Sequence, residues 1–291
     1  MTNSIPLAVI GGSGFYDMPG LSAVEEIVVD TPYGSTSDSF RIGTLEGERI
    51  AFLSRHGRGH TLLPSEIPAR ANFWALKSMG VQRVLSVSAV GSLRQDYRPG
   101  HLVTPHQIID RTRGQRVSTF FGNGVVAHIG FAEPFCPSMR TAARVAAETA
   151  GAHVHRDAVY VVMEGPAFST RAESELHRTW RADLIGMTAL PEAKLAREAE
   201  ICYAMLAAVT DYDAWQETHT VDAAGVFETL SQNVATAQKA VRDLAKSIPG
   251  RDHCECATAL DSALVTNPEA IDTESRQRLG PILSRRLGQG A

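Results

Sequence analysis

The sequence predicts a single α/β domain. Three observations carry that expectation: apolar runs of strand length alternate with segments of helical periodicity, several runs end in glycine turns, and no linker-like stretch divides them. Runs such as LAVIG and ICYAMLAAV lack polar alternation, the pattern of strands buried on both faces.

Taken in order, LAVIGGSG reads as a strand entering a glycine turn. Short strands are expected at 26–30, 40–45 and 49–53, the last running into SRHGRGH. Residues 65–79 read as a helix, with Ser65 and Glu66 at its start and Gly80 closing it. VQRVLSVSAVGS is a buried strand that ends in another glycine turn. Strands are expected near 102–109, 125–130 and 154–163, with a helix over 137–150 between the last two. GPAFSTRAESELHRTW turns from loop to helix, DLIGMT is a short strand, and 190–200 is helical. The strand ICYAMLAAV then leads to a helix over 222–247 and a polar C-terminal region. The expected organisation is a main domain over 1–250 and a partly helical C-terminal extension over 251–291, with a neighbouring subunit as a candidate surface for it.

The 291 residues are 44% hydrophobic and 21% charged, which is ordinary globular composition. A net charge of −4 gives no electrostatic footing for nucleic acid or anionic membranes. The apolar runs are too short to span a bilayer, and MTNSIPLAVIGG lacks the basic, then long apolar, pattern of a signal peptide. The cytoplasm is the expected compartment. The four cysteines (Cys136, Cys202, Cys254, Cys256) do not form a secreted disulfide framework. In HCEC, a disulfide or a metal is one reading, but two free thiols fit a reducing compartment better.

Several strand ends carry candidate chemistry. GGSG at 11–14 offers backbone N–H groups and the Ser13 hydroxyl to an anion, although alone it reads as a tight turn. RHGRGH at 55–60 places Arg55 and His56 where a guanidinium suits bidentate binding of phosphate or carboxylate; a solvated basic loop is equally compatible. His56 and His60 lack a third nearby ligand, so no metal is expected there. SVSAVGS adds the Ser88 hydroxyl and the backbone around Ala89. Phe168 in EGPAFST suits stacking on a flat ring or core filling, and Met187 and Thr188 in GMT read alone as packing and a cap. AVTDYDAW ends its strand in two carboxylates, Asp211 and Asp213, where ligands of α/β sheets sit or where a turn forms.

The combination is more specific than its parts. From GGSGFYD through DTPYGSTSD, SRHGRGH, ARANFWALKSMG, SAVGSL, RPGHLVTPHQIIDRT, AEPFCP, EGPAFSTRAESELHRTW, GMTALPEAKLARE and ICYAMLAAVTDYDAW, the chain resembles the trimeric purine nucleoside phosphorylases, within them the branch that cleaves 5′-methylthioadenosine. The resemblance covers residues 5–247. It implies a central mixed β-sheet, partly barrel-like and flanked by helices, and a homotrimer or a dimer of trimers. It implies phosphorolysis of S-methyl-5′-thioadenosine, with inorganic phosphate as co-substrate and neither cofactor nor metal.

Carried over by motif, the resemblance implies a phosphate site of Ser13, Arg55, His56, Ser88, Ala89 and Thr188, with His56 also catalytic. Ser13 and Ser88 stand where threonine is common in the family, and serine keeps the hydroxyl. Met187 is implied under the ribose and Phe168 against the base. Asp211 would contact the purine N7 and Asp213 the 6-amino group, with Ser169 and Tyr212 beside them. Members that take 6-oxopurines carry asparagine at the Asp211 position, because an amide donates to O6 where a carboxylate repels it. For the 5′ substituent, His128 and the start of the helix that follows the segment DYDAWQETHTVDAAGV are the candidates. That segment is one residue shorter than in animal members, which leaves methylthioadenosine and adenosine both open there, with His60 able to serve a 5′-hydroxyl.

Overall fold

The computed structural model describes residues 5–12, 18–216, 223–251 and 254–288. Among the described residues, nine strands form one mixed sheet in the order β2-β3-β4-β1-β5-β8-β7-β6-β9. They are β1 (Leu7–Gly11), β2 (Ser22–Ile27), β3 (Phe40–Leu45), β4 (Glu48–Ser54), β5 (Arg83–Ser92), β6 (Leu102–Arg111), β7 (Val154–Met163), β8 (Leu184–Gly186) and β9 (Cys202–Tyr212). β9 also pairs in parallel with β5, so β5, β8, β7, β6 and β9 close on themselves as a barrel. The partly barrel-like mixed sheet that the resemblance implied is therefore present. Closure removes the edges of these five strands and leaves β2 as the exposed edge.

Seven helices among the described residues surround the sheet: α1 (Ala69–Ser78), α2 (Pro137–Thr149), α3 (Arg171–Thr179), α4 (Glu192–Glu198), α5 (Ala223–Lys246), α6 (Thr273–Leu279) and α7 (Ser284–Leu287). β9 explains how the layers are divided. Its side chains alternate, so Tyr203, Met205, Ala207 and Val209 join Phe73 and Leu76 of α1 and Leu195 of α4 in one core. Cys202, Ala204, Leu206 and Ala208 join Met139 and Ala143 of α2 and Val241 and Leu244 of α5 in the other. Both faces are covered, which is why the run shows no polar alternation.

Three boundaries differ from the sequence expectation. The helix expected from 65 starts at Ala69, because Pro68 disfavours helical geometry at Ile67; Glu66 instead accepts from the Leu63 amide at 2.9 Å. The strand expected at 26–30 lies at Ser22–Ile27, where β3 supplies its partner. Residues 125–130 form no strand, only isolated bridges Gly122↔Val125 and Ala127↔Leu264. A strand needs a neighbour along its length, and this segment meets the C-terminal tail at single points.

The tail packs on its own chain. Leu260, Ala263, Ile271, Leu279, Ile282 and Leu283 are buried in the same core as α1. Trp74 Nε1 donates to the Arg278 carbonyl at 3.1 Å, and Arg285 pairs with buried Glu200. Among the described residues, no helix is long and apolar enough to cross a membrane.

Candidate active site

One end of the barrel opens into a cavity of about 1120 Å³ when the solvent at its mouth is counted. It is lined from the C-terminal ends of β4, β5, β8 and β9, with Val234 of α5 closing one side. A register shift between Val90 and Gly91 shapes it: Val90 lies opposite Val209, but Gly91 lies opposite Asp211, leaving Thr210 as an extra residue. Such a bulge re-aims the residues that follow it. Gly91 forms the floor below, where an added Cβ would stand 3.2 Å from Asp211 Oδ2 and 3.3 Å from Ile185.

Arg55 follows β4 and is 2% exposed. Its Nε donates to Glu192 Oε1 at 2.5 Å, Nη1 to the Val87 carbonyl at 3.2 Å, and Nη2 to Ser86 Oγ at 2.6 Å. Burial pushes the Glu192 carboxyl up, but Arg55 beside it prevails and holds it below its usual range. Arg55 stays charged for the same reason, despite burial. His56 donates from Nδ1 to the Leu62 carbonyl at 2.9 Å, which leaves Nε2 as an acceptor. Burial, then repulsion from Arg55 and His60, lowers its pKa to about 4, although the Leu62 bond opposes this. His56 is neutral at pH 7. His60 stacks on it with ring centroids 4.2 Å apart.

Ser88 is buried, and its Oγ has no hydrogen-bond partner among the described residues. Thr188 is held by Tyr160, whose hydroxyl lies 3.3 Å from both its amide and Oγ1. Arg116 fixes the adjoining loop: Nη1 donates to the carbonyls of Met187 at 2.7 Å and Leu190 at 2.8 Å, and Nε pairs with Glu164 at 2.6 Å. Gly165 has φ of +73°, and a Cβ there would strike the Met187 sulfur, so glycine lets Met187 lie over the loop.

Three residues further along β5 than Ser88, about 10 Å of strand, the lining becomes acidic. Asp211 Oδ1 accepts from Thr210 Oγ1 at 2.7 Å. Burial first, and then the Asp213 charge, raise its pKa to about 6, with the Thr210 bond opposing. Asp213 is buried, and its Oδ2 has no partner among the described residues. The same cavity is lined by the apolar side chains of Met163, Phe168, Ile185 and Met187. Phe168 remains 42% exposed, so it lines the opening and does not fill the core.

Comparison with known proteins says which family carries this fold. The phosphorylase superfamily model matches residues 6–248. The chain belongs to the phosphorylase superfamily. It is 53% identical over 280 residues to S-methyl-5′-thioadenosine phosphorylase of Geobacter sulfurreducens, covering 95% of this chain and 97% of that one. A crystal structure of methylthioadenosine phosphorylase from an Antarctic soil metagenomic library superposes with a TM-score of 0.91 at 46% identity, covering 97% and 100% of the two chains. A mutant of the adenosine/methylthioadenosine phosphorylase of Schistosoma mansoni, in complex with methylthioadenosine, gives a TM-score of 0.82 at 33% identity, over 89% and 96%.

In this superfamily member the structure brings Arg55, His56, Ser88, Ala89, Phe168, Met187, Thr188, Asp211 and Asp213 to one cavity. Ser13 lies outside the described residues, as do residues 217–222 ahead of α5, while Gly12, next to Ser13, lines the cavity. Tyr212 is turned away, because alternate residues of a strand face opposite sides; it donates to the Gln95 carbonyl at 3.2 Å and packs edge-on against Trp215. Ser169 is directed at the Met163 sulfur, 3.8 Å away, and is not in the lining. His128 is exposed and outside the lining, its amide donating to the Ala263 carbonyl at 2.8 Å. Sequence reasoning missed Glu192, Arg116 and Glu164. Their only signal is a charge set within apolar sequence, and nothing local names the partner.

Proposed function

We propose that the chain catalyses reversible phosphorolysis of S-methyl-5′-thioadenosine to adenine and 5-methylthioribose 1-phosphate, a pentosyl transfer to inorganic phosphate. The observation that carries the reading is a pair of unmet groups in one cavity lining: the Ser88 hydroxyl and the Asp213 carboxylate oxygen, neither with a partner among the described residues. Buried polar groups are nearly always satisfied, so two unmet ones in one lining support a ligand with polar groups there.

Phosphate sits against Ser88, the Ala89 and Thr188 region and His56, with the Ser13 hydroxyl added from its turn. His56 Nε2, a bare acceptor, takes a hydrogen bond from a phosphate O–H. Arg55 spends four of its five donors on Glu192, Ser86 and the carbonyls of Val87 and Ile10, so it supplies positive potential and at most one further N–H. The phosphate oxygen attacks C1′ as the C1′–N9 bond breaks, and its charge stabilises the cationic sugar in that transition state. Met187 lies under the ribose and Phe168 against the purine. Electrons from the broken bond enter the purine, and the protonated form of Asp211 delivers a proton to N7. With its pKa near 6, roughly a tenth of Asp211 is protonated at pH 7, and this fraction grows as pH falls. Asp213 Oδ2 accepts from the 6-amino group. The exchange is redox-neutral and calls on no organic cofactor.

A homotrimer in the cytoplasm, alone or doubled, completes the reading. The exposed His128, outside its own cavity, is then a group offered to a neighbouring subunit near the 5′ substituent. A second reading extends the substrates to adenosine, favoured by His60, which lines the cavity and can meet a 5′-hydroxyl. Initial rates with methylthioadenosine, adenosine, methylthioinosine and inosine, with and without phosphate, test both. We expect turnover only with phosphate and the highest kcat/KM for methylthioadenosine. Equal rates without phosphate would mean that water is the nucleophile and would overturn the proposal.

A further inference from the structure

At the opposite end of β9 from Asp211, four sulfurs converge. Cys202 opens the strand, Cys136 precedes α2 as its N-cap, and Cys254 and Cys256 flank and enter a short 3₁₀ turn of the tail (Glu255–Thr258). All four sulfurs lie within 4.8 Å of one another, with Cys254 Sγ 3.4 Å from Cys202 Sγ and 3.6 Å from Cys136 Sγ. A tetrahedral zinc thiolate with bonds of about 2.3 Å has sulfurs about 3.8 Å apart on every edge. Two disulfides require only two close pairs, whereas Cys254 sits near two different cysteines. Three of the four side chains are buried, and all four are free thiols.

We propose that Cys136, Cys202, Cys254 and Cys256 bind one Zn²⁺ ion as a structural staple joining β9, α2 and the C-terminal tail. Binding exchanges four thiol protons for one ion: Zn²⁺ and four Cys–SH give a Zn(S–Cys)₄ centre of charge −2 and four H⁺, with no oxidation. The surroundings suit that charge. Arg83 lies opposite Cys202 in the β5–β9 register, within electrostatic reach of Cys136, Cys202 and Cys254. Its buried Nε has no partner among the described residues, and neither has that of Arg251, three residues before Cys254. The Ser138 hydroxyl lies 3.2 Å from Cys136 Sγ. Cys202 and Asp211 are nine residues apart on β9, about 30 Å of strand, so the ion holds the fold and takes no part in chemistry.

The test is elemental analysis of full-length protein purified under reductant without chelator, with thiols titrated in denaturant. We expect about one zinc per chain, four thiols released on denaturation with a chelator, and the intense visible bands of a tetrahedral thiolate when Co²⁺ replaces zinc. The double variant Cys254→Ser/Cys256→Ser should lose the metal and unfold at lower temperature while keeping wild-type kcat at moderate temperature. Zinc-free protein with four free thiols that rejects added Zn²⁺ would overturn the proposal. So would an absence of titratable thiols, which means two disulfides, or full zinc content in the double variant. If that variant does not fold, the metal content and cobalt spectrum of the wild-type chain decide alone.

Discussion

Glu192, paired to Arg55, and Asp213, in the cavity lining, are both buried carboxylates, and the fold treats them oppositely. Glu192 accepts from Arg55 Nε, Arg55 Nη2 and Tyr203 OH, the last at 2.7 Å. Asp213 Oδ2 accepts from nothing among the described residues. Leaving a buried acceptor unmet costs about 1–3 kcal/mol, more when charged, so the second arrangement is one that folding alone would remove. The contrast separates scaffold from proposed recognition: a saturated charge positions its neighbours, and the unsaturated one is the group the proposed function assigns to the ligand. The same line divides Arg116, bonded to Glu164 and two loop carbonyls, from Ser88, whose hydroxyl meets none of the described residues.

The largest effect should come from breaking the saturated side. Arg55→Ala strands Glu192 as a buried charge, and we expect a loss of roughly 3–5 kcal/mol in urea unfolding. Wild-type stability in this variant would show that the pair is not scaffold. On the recognition side, Asp211→Asn should lower kcat for methylthioadenosine by about 10²–10⁴-fold, the scale of a general acid. The same change should raise methylthioinosine relative to methylthioadenosine, since an amide donates to O6. A fixed ratio between these substrates would remove Asp211 from reading the 6-position.

The third effect has the opposite sign in stability. Asp211 has a folded pKa raised to about 6, above its unfolded value, so the folded chain disfavours its ionised form. That penalty is full above pH 6, declines as pH falls through 6, and vanishes below the unfolded pKa. Asp211→Asn should therefore stabilise the unliganded protein by roughly 1–3 kcal/mol at about pH 8 and by nothing measurable near pH 3.5. Thermal melts of both proteins across that range provide the check, and a pH-independent difference would refute the linkage. The smallest effect belongs to Ser88→Ala, which should raise KM for phosphate by about 5–10-fold with little change in KM for nucleoside. An equal rise in both constants would place Ser88 outside the phosphate site.

The strands of the barrel were legible because burial on both faces leaves an unbroken apolar run, as in ICYAMLAAV, and such a run has few other uses. The α2 and α3 segments were legible from a different local signal, helical spacing, and α3 shows a capping box between Thr170 and Glu173. The 125–130 strand was misread because a short apolar run does not announce whether a partner runs beside it. At the cavity, the motifs at strand ends named the candidate groups residue by residue, but not which face each occupies. A bulge at Thr210 brings Asp211 to the lining, and strand alternation takes Tyr212 out of it while Asp213 returns.

By itself, the sequence determined the periodicities, the strand-end chemistry and the family, because each is written in neighbouring residues. Only the tertiary structure decided which charges are saturated. Arg55 and Glu192 are 137 residues apart, and Arg116 and Glu164 are 48 apart. Cys254 meets Cys136 across 118 residues and Cys202 across 52. Pairings over such separations depend on how the sheet closes, since β5 must find β9 before any of these groups is placed. No local pattern encodes that closure, because it is selected by the simultaneous burial of many apolar side chains on both faces of the barrel.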